Sequence, residues 1–310
     1  MLLGKLLKSV SKKYKKIPVK GISFDSRKVK KGDVFFAIKG NKTSGVKFIK
    51  EALKKGASII VVNKSTKYKN NNIKLVLVKN VRQSLSEACS NFYNKKPQKI
   101  IAVTGTNGKS SVADFFYQIL SFNKISAASI GTLGIVSKNY NKKTKLTSED
   151  PISLHRNLQK LKKNKVNNVI LEASSHGLEQ KRLDNLNINL GIFTNLSHDH
   201  LDYHKNIQTY FNCKTYLFRK LLNKKSKIIS DEDIKEFSVI KNIAKKRKLK
   251  IVTIGKIFGD IKVLSNNYNK NLQIINILYK SKIYNLHVPL IGYFQIKNLL
   301  MAILAASDCG

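Results

Sequence analysis

The stretch Lys99–Phe122, KIIAVTGTNGKSSVADFFYQILSF, constrains the fold of this chain more than any other. Ile100, Ile101 and Val103 form a nearly unbroken apolar run, the pattern of a parallel strand buried on both faces. Gly105-Thr106-Asn107-Gly108 is a tight turn, with Lys109, Ser110 and Ser111 directly after it. Val112, Phe115, Phe116, Ile119 and Leu120 then recur at helical spacing. Strand, glycine loop, Lys-Ser and helix in this order make a phosphate site. Loop N–H groups and the positive helix end face the anion, the lysine neutralises it, and the hydroxyl ligates magnesium. The loop is short: only Thr106 and Asn107 separate Gly105 from Gly108, where the common form has four residues.

The rest of the chain reads as alternating strands and helices, an α/β fold. Val34–Ile38, Ser58–Val62 and Leu75–Val78 read as strands, and Val46–Lys55 and Val81–Tyr93 as helices. Asn94-Lys95-Lys96-Pro97-Gln98 is the best linker. It divides a small N-terminal α/β domain, residues 1–96, from a P-loop domain with a mostly parallel sheet, residues 97–310. In the second domain the pattern predicts strands at 127–130, 169–171, 191–194, 227–230 and 251–254. It predicts helices from Pro151 to Leu161, Ile207 to Leu222, Ile234 to Arg247 and Phe294 to Ser307, and a hairpin over 273–285.

Composition excludes several classes. Cys89, Cys213 and Cys309 are far apart and odd in number, so they suggest neither a disulfide framework nor a zinc site. No apolar run is long enough to span a bilayer, and the N-terminus has no secretory apolar core, so a cytoplasmic protein without membrane insertion is expected. The formal net charge of +41 would ordinarily suggest nucleic acid. The lysines are spread over strands, helices and loops alike, often beside asparagine as in Asn141-Lys142-Lys143, which is a composition bias and not a binding stripe. No nucleic-acid partner is expected, although the charge favours anionic ligands.

Glu172 closes the apolar strand 169–171, and His200 follows the strand 191–194. Ligands of an open parallel sheet gather outside the carboxyl ends of its strands, so both side chains can reach the phosphate loop. With the Ser110 hydroxyl they make a coherent magnesium site. His198, His200 and His204 in LSHDHLDYH are also close enough in sequence for a zinc cluster, but no Cys pair accompanies them. Ser174-Ser175-His176 lacks the strained turn of a nucleophilic serine.

GTNGKSS (105–111), LEASSHGLEQKR (171–182), FTNLSHDHLDYH (193–204), CKTYLF (213–218) and GYFQIKN (292–298) together resemble the Mur ligases, in the expected order and over most of the chain. The resemblance implies that the first domain binds the UDP end of the substrate, through Phe24, Ser26, Asn41, Lys42 and Thr43. Residues Gly105 to Ser111 would hold ATP phosphates, and Asn298 would lie beside the adenine. Thr147, Ser148, Ser174, Gln180 and Arg182 would contact the muramoyl-peptide. Ser110, Glu172 and His200 would hold Mg2+, with Lys109 and His200 in the catalytic set. Lys214 matches a catalytic lysine that the family carbamylates with carbon dioxide. That chemistry requires a neutral amine and hence a depressed pKa.

The implied activity is ATP-dependent amide ligation in peptidoglycan precursor synthesis, with UDP-MurNAc-L-Ala-D-Glu, ATP and a diamino acid, diaminopimelate or lysine, as partners. A monomer is expected, and a C-terminal amino-acid-binding domain of the family has no counterpart in these 310 residues. Ser110-Ser111 stands where Thr-Thr is commoner, His198 where arginine is usual, Gln295 where asparagine is usual, and Cys213 where a small residue precedes the lysine.

Overall fold

The computed structural model describes the chain except for residues 41–42, 69–72, 200 and 270, and the side chains of 201 and 202. The chain divides into two compact units. One comprises Met1–Lys96, Asp150–Gln159 and Gln180–Asn185; the other comprises Pro97–Glu149, Lys160–Glu179 and Leu186–Gly310.

The first unit opens with a short helix α1 (Leu3–Leu6) and carries a four-stranded parallel sheet: β1 (Gly21–Ser23), β2 (Asp33–Phe36), β3 (Ile59–Asn63) and β4 (Leu75–Val78), in that spatial order. β2 and most of β3 are buried on both faces, as their continuous apolar runs require. Each face has its own core. Val34, Phe36, Ile59 and Val61 pack with α1 and with α3 (Val81–Phe92), whereas Phe35, Ile60 and Val62 pack with Ile49 and Ala52 of α2 (Ile49–Lys54). The Asn80 side chain accepts from Gln83 N–H at 3.0 Å and so caps α3. The helix expected from Val46 begins instead as a 3₁₀ turn, Gly45–Phe48, before α2. Ser44 accepts from Val46 N–H and fixes this tighter start.

The second unit is built on a ten-stranded sheet. Its strands are β5 (Lys99–Thr104), β6 (Ala127–Gly131), β7 (Gly134–Ser137), β8 (Asn168–Glu172), β9 (Ile188–Phe193), β10 (Leu222–Asp231), β11 (Lys250–Gly255), β12 (Ile261–Asn269), β13 (Leu272–Tyr279) and β14 (Lys282–Val288). Their order is β14-β13-β12-β11-β10-β9-β5-β8-β6-β7. Seven contiguous strands, from β12 to β6, run parallel, and antiparallel pairings close both edges. Helix α4 (Lys109–Phe122) follows β5; α5 (Pro151–Lys163), whose residues up to Gln159 belong to the first unit, precedes β8 in sequence. Short helices α6 (Ser175–Glu179) and α7 (Leu201–His204) follow the ends of β8 and β9, and α8 (Ile207–Tyr216) comes next. Helices α9 (Phe237–Arg247) and α10 (Tyr293–Ala306) complete the set. Val112, Phe116 and Leu120 of α4 share one core with Ile296, Leu300 and Leu304 of α10 and with Ile101 and Val103 of β5. Among the described residues no helix is long and apolar enough to cross a membrane.

Two expectations change. The helix expected to reach Leu222 ends as α8 at Tyr216, passes through one π turn at Leu217–Leu221 and becomes β10. Arg247 donates to the carbonyls of Phe218 at 3.0 Å and Leu222 at 2.8 Å, taking acceptors that lose their intrahelical partners where the helix stops. The hairpin expected over 273–285 is the outer part of a three-stranded antiparallel sheet, β12 to β14. β12 escaped detection because its register shifts between Val263 and Ser265, and its second half, SNNYN, is polar.

Candidate functional site

The site lies at the carboxyl ends of β5, β8 and β9, where the topology of a parallel sheet collects its loops. Gly105 (φ +146°) and Gly108 (φ +84°) both hold backbone conformations that L side chains avoid. A Cβ on Gly105 would strike the Thr194 hydroxyl, and one on Gly108 would strike the Asn298 amide. The loop is therefore pinned from two sides, by the end of β9 and by α10.

The segment after β9 fixes the loop backbone. Thr106 N–H donates to the Asn195 carbonyl at 2.9 Å, and Asn107 N–H donates to Asn195 Oδ1 at 3.0 Å. The Thr194 hydroxyl donates to the Asn107 carbonyl at 2.6 Å, and Ser197 N–H donates to Thr106 Oγ1 at 3.0 Å. The amides of residues 106 and 107 are thus spent on the scaffold. The first-turn amides of α4, at Lys109, Ser110 and Ser111, have no partner four residues earlier by helix geometry, and they line a cleft of about 270 Å³.

Two lysines serve this cleft. Lys109 donates to the carbonyls of Gly105 at 3.1 Å and Thr106 at 2.7 Å, curled over its own loop. Burial depresses its pKa, with Glu172 and Asp199 opposing that shift. Lys214 is carried by α8, is 1% exposed, and donates to the Gly105 carbonyl at 2.6 Å. Its ammonium lies 4.0 Å from the centre of the Tyr210 ring. Burial first, and the nearby Lys109 charge second, lower its pKa to about 7.

Glu172 ends β8 at 3% exposure. Ser110 Oγ lies 3.0 Å from both of its carboxylate oxygens. Thr132 donates to it twice, from N–H at 2.8 Å and from the hydroxyl at 3.2 Å. A Cβ on Gly131 would collide with this carboxylate, so β6 must carry glycine where it passes. Hydroxyl and carboxylate converging on a phosphate cleft are hard oxygen donors, and that chemistry fits Mg2+.

Of the other residues expected in the site, Thr147, Ser174 and Ser148 come together here. Thr147 Oγ1 lies 3.1 Å from Thr132 Oγ1; Ser148 Oγ donates to the Glu172 carbonyl at 2.8 Å and accepts from Ser174 N–H at 2.9 Å. Asn298, on α10, donates to Gln295 Oε1 at 3.0 Å and stands against Gly108. Gln180 and Arg182 belong to the first unit, where Arg82 and Arg182 both donate to Gln180 Oε1, at 3.3 and 2.7 Å. Phe24, Ser26 and Thr43 line one groove of that unit together with Phe48 and Arg82. Ser26 Oγ donates to Glu51 Oε2 at 2.8 Å. Asn41, Lys42 and His200 lie outside the described residues. Thr132, Thr194, Asn195 and Arg82 were not singled out from the sequence. Thr194 and Asn195 lie inside the 193–204 segment, and Thr132 follows Gly131 at a strand end, so position was the available signal.

A shortened glycine loop, a carboxylate at the neighbouring strand end and a buried lysine from a third element thus converge on one cleft. The chain belongs to the Mur ligases: residues 103–306 match the Mur ligase middle domain, and residues 18–94 match the Mur ligase family catalytic domain. It is 41% identical over 298 residues to the UDP-N-acetylmuramoyl-L-alanyl-D-glutamate–2,6-diaminopimelate ligase of Rickettsia montanensis, covering 94% of this chain and 61% of that protein. The enzyme of the same name from Rhizobium meliloti is 38% identical over 294 residues, covering 95% and 60%. A solved structure of a ligase of this name superposes with a TM-score of 0.87 at 27% identity, over 99% of this chain and 63% of that one. The chain thus spans about three-fifths of the length of the curated relatives it matches.

Proposed function

We propose that this chain provides the nucleotide- and UDP-substrate-binding parts of an ATP-dependent amide ligase that adds 2,6-diaminopimelate to UDP-MurNAc-L-Ala-D-Glu. The reaction would belong to cytoplasmic peptidoglycan precursor synthesis. The diamino acid is taken from the names of the relatives, and the central support is the convergence of Lys109, Ser110 and Glu172 on one cleft. The γ-phosphoryl group of ATP passes to the D-glutamate side-chain carboxylate. The amine of the diamino acid attacks the acyl phosphate, and the tetrahedral intermediate collapses with loss of inorganic phosphate.

In this reading Lys109 and the first-turn amides of α4 hold the β- and γ-phosphates and stabilise the charge that builds during transfer. Ser110 and Glu172, with His200, would hold Mg2+, which supplies charge neutralisation between the phosphates when bound. Asn298 lies beside the adenine. In the first unit, Phe24, Ser26 and Thr43, with Asn41 and Lys42, hold the uridine diphosphate end. Thr147, Ser148, Ser174, Gln180 and Arg182 hold the muramoyl-peptide. Lys214, with a pKa of about 7, has a substantial neutral fraction at neutral pH. Its amine can add to carbon dioxide, forming an N–C bond and releasing one proton to water; the resulting carbamate anion lies next to Lys109.

The test is phosphate release in the complete protein with ATP, UDP-MurNAc-L-Ala-D-Glu and either diaminopimelate or lysine. Release that requires the dipeptide substrate and diaminopimelate is expected. Release that is indifferent to the muramoyl substrate would overturn the proposal.

A further inference from the structure

A second constellation lies among α6, α7 and α8, and the ligase reading does not use it. Among the described residues, Glu179, His204 and Cys213 each present one ligand atom, and these three atoms all lie within 4.8 Å of one another. They come from three packed helices: Glu179 ends α6, His204 ends α7 and Cys213 lies within α8. Glu179 is 25 residues from His204, and His204 nine from Cys213, so no short-spaced ligand motif announces them. From these positions we propose that Glu179, His204 and Cys213 form a site for a borderline-soft divalent cation of the zinc class, with a fourth position open to water. The inference stands independently of the ligase reading.

The donor set decides the metal. One thiolate, one imidazole and one carboxylate are the ligand types of zinc, with bonds of about 2.0–2.3 Å. Tetrahedral bonds of that length place ligand atoms about 3.3–3.8 Å apart. The observed spacing therefore needs a contraction of up to about 1–1.5 Å, which the exposed Glu179 side chain can largely supply. Magnesium prefers oxygen ligands, so the site would not compete for the ion expected at Ser110 and Glu172.

Charge favours the same assignment. Binding releases the Cys213 thiol proton to solvent, and thiolate plus carboxylate then cancel the two positive charges of the ion. A site without net charge avoids the repulsion that a chain of formal charge +41 presents to cations. The histidine is held as a ligand should be. His204 is 2% exposed, its Nε2 lies 2.9 Å from Ser175 Oγ, and its ring packs against Tyr203 and Tyr210. If Nε2 donates to Ser175, the ring lone pair is on Nδ1. A hydrogen bond from the second ring nitrogen is what fixes ligating histidines in place.

The experiment is titration of the metal-stripped chain with Co2+, followed by competition with Zn2+. The expected result is one Co2+ per chain, with tetrahedral visible bands and a near-ultraviolet thiolate charge-transfer band, both erased by Zn2+. Cys213→Ser should abolish the charge-transfer band, and Glu179→Gln should weaken Zn2+ by about tenfold or more. Both positions are partly or fully exposed, so these variants keep the fold. Zn2+ should also raise the melting temperature of the wild-type chain by several degrees and leave that of Cys213→Ser unchanged. Absence of stoichiometric Co2+ binding, or a charge-transfer band that survives Cys213→Ser and so arises from Cys89 or Cys309, would overturn the site.

Discussion

The turn at Asp25–Arg27 in the first unit and the loop at Gly105–Ser111 in the second both place cations against oxygen at hydrogen-bond distance, with opposite results. At the turn, Arg27 grips Asp25 with two bonds of 2.9 Å, and its side chain is 80% exposed. The Arg27 guanidinium holds the Asp25 carboxyl below its usual pKa, and the pair satisfies itself. At the loop, half-buried Lys109 and fully buried Lys214 donate to backbone carbonyls of the loop. A carbonyl accepts a hydrogen bond but does not neutralise a charge, so burial pulls both pKa values down. A pair that satisfies itself has little left to offer a ligand; desolvated amines held only partly by carboxylates favour the arrival of a polyanion.

The sharpest break is Lys109→Ala. Loss of one preorganised donor to a transferring phosphoryl group costs on the order of 3 kcal/mol, so turnover in the complete protein should fall by about 100-fold or more. Phosphate release measures it, and near-normal turnover would remove Lys109 from the role. Next comes Gly108→Ala. A left-handed conformation costs an L residue about 1–2 kcal/mol, and the new Cβ meets Asn298. Calorimetry with MgATP should show affinity falling by about tenfold or more, with a lower melting temperature.

Lys214 gives a pH test. Its folded pKa of about 7 lies below the ordinary value of 10.5, so between these values the unfolded chain binds the extra proton. Its contribution to stability therefore rises from about pH 7 toward pH 10.5 and is smallest below pH 7. Lys214→Met should flatten that part of the stability profile. With labelled bicarbonate, a carbamate carbon signal should grow as pH rises through 7 and be absent from the variant. The smallest effect is expected at the turn: Arg27→Ala should leave the melting temperature unchanged within error, because an exposed pair is screened by water and salt. A large drop there would erase the contrast.

Legibility followed the same division. The β5–loop–α4 unit could be read directly, because each of its steps is local: apolar run, glycines, Lys-Ser, helical spacing. Glu172 could be read because it closes a buried strand. Thr132, Thr194 and Asn195 could not, since their roles depend on which strand ends the sheet order makes neighbours. The end of α8 is not legible because Arg247 holds the carbonyls of Phe218, in the π turn after it, and Leu222, at the start of β10, from 29 and 25 residues away. Gln180 and Arg182 lie between residues of the second unit in sequence, and only the folded contacts assign them to the first.

By itself the sequence determined the alternation of strand and helix, the phosphate loop and the family, because these rest on periodicity and short-range chemistry. The tertiary structure alone decided that Lys214 would be buried against Gly105, that the amides of 106 and 107 would be used by Asn195, and that Glu179, His204 and Cys213 would meet. Burial and convergence depend on how distant elements are ordered in the sheet and packed on it, and no local pattern of residues encodes that order.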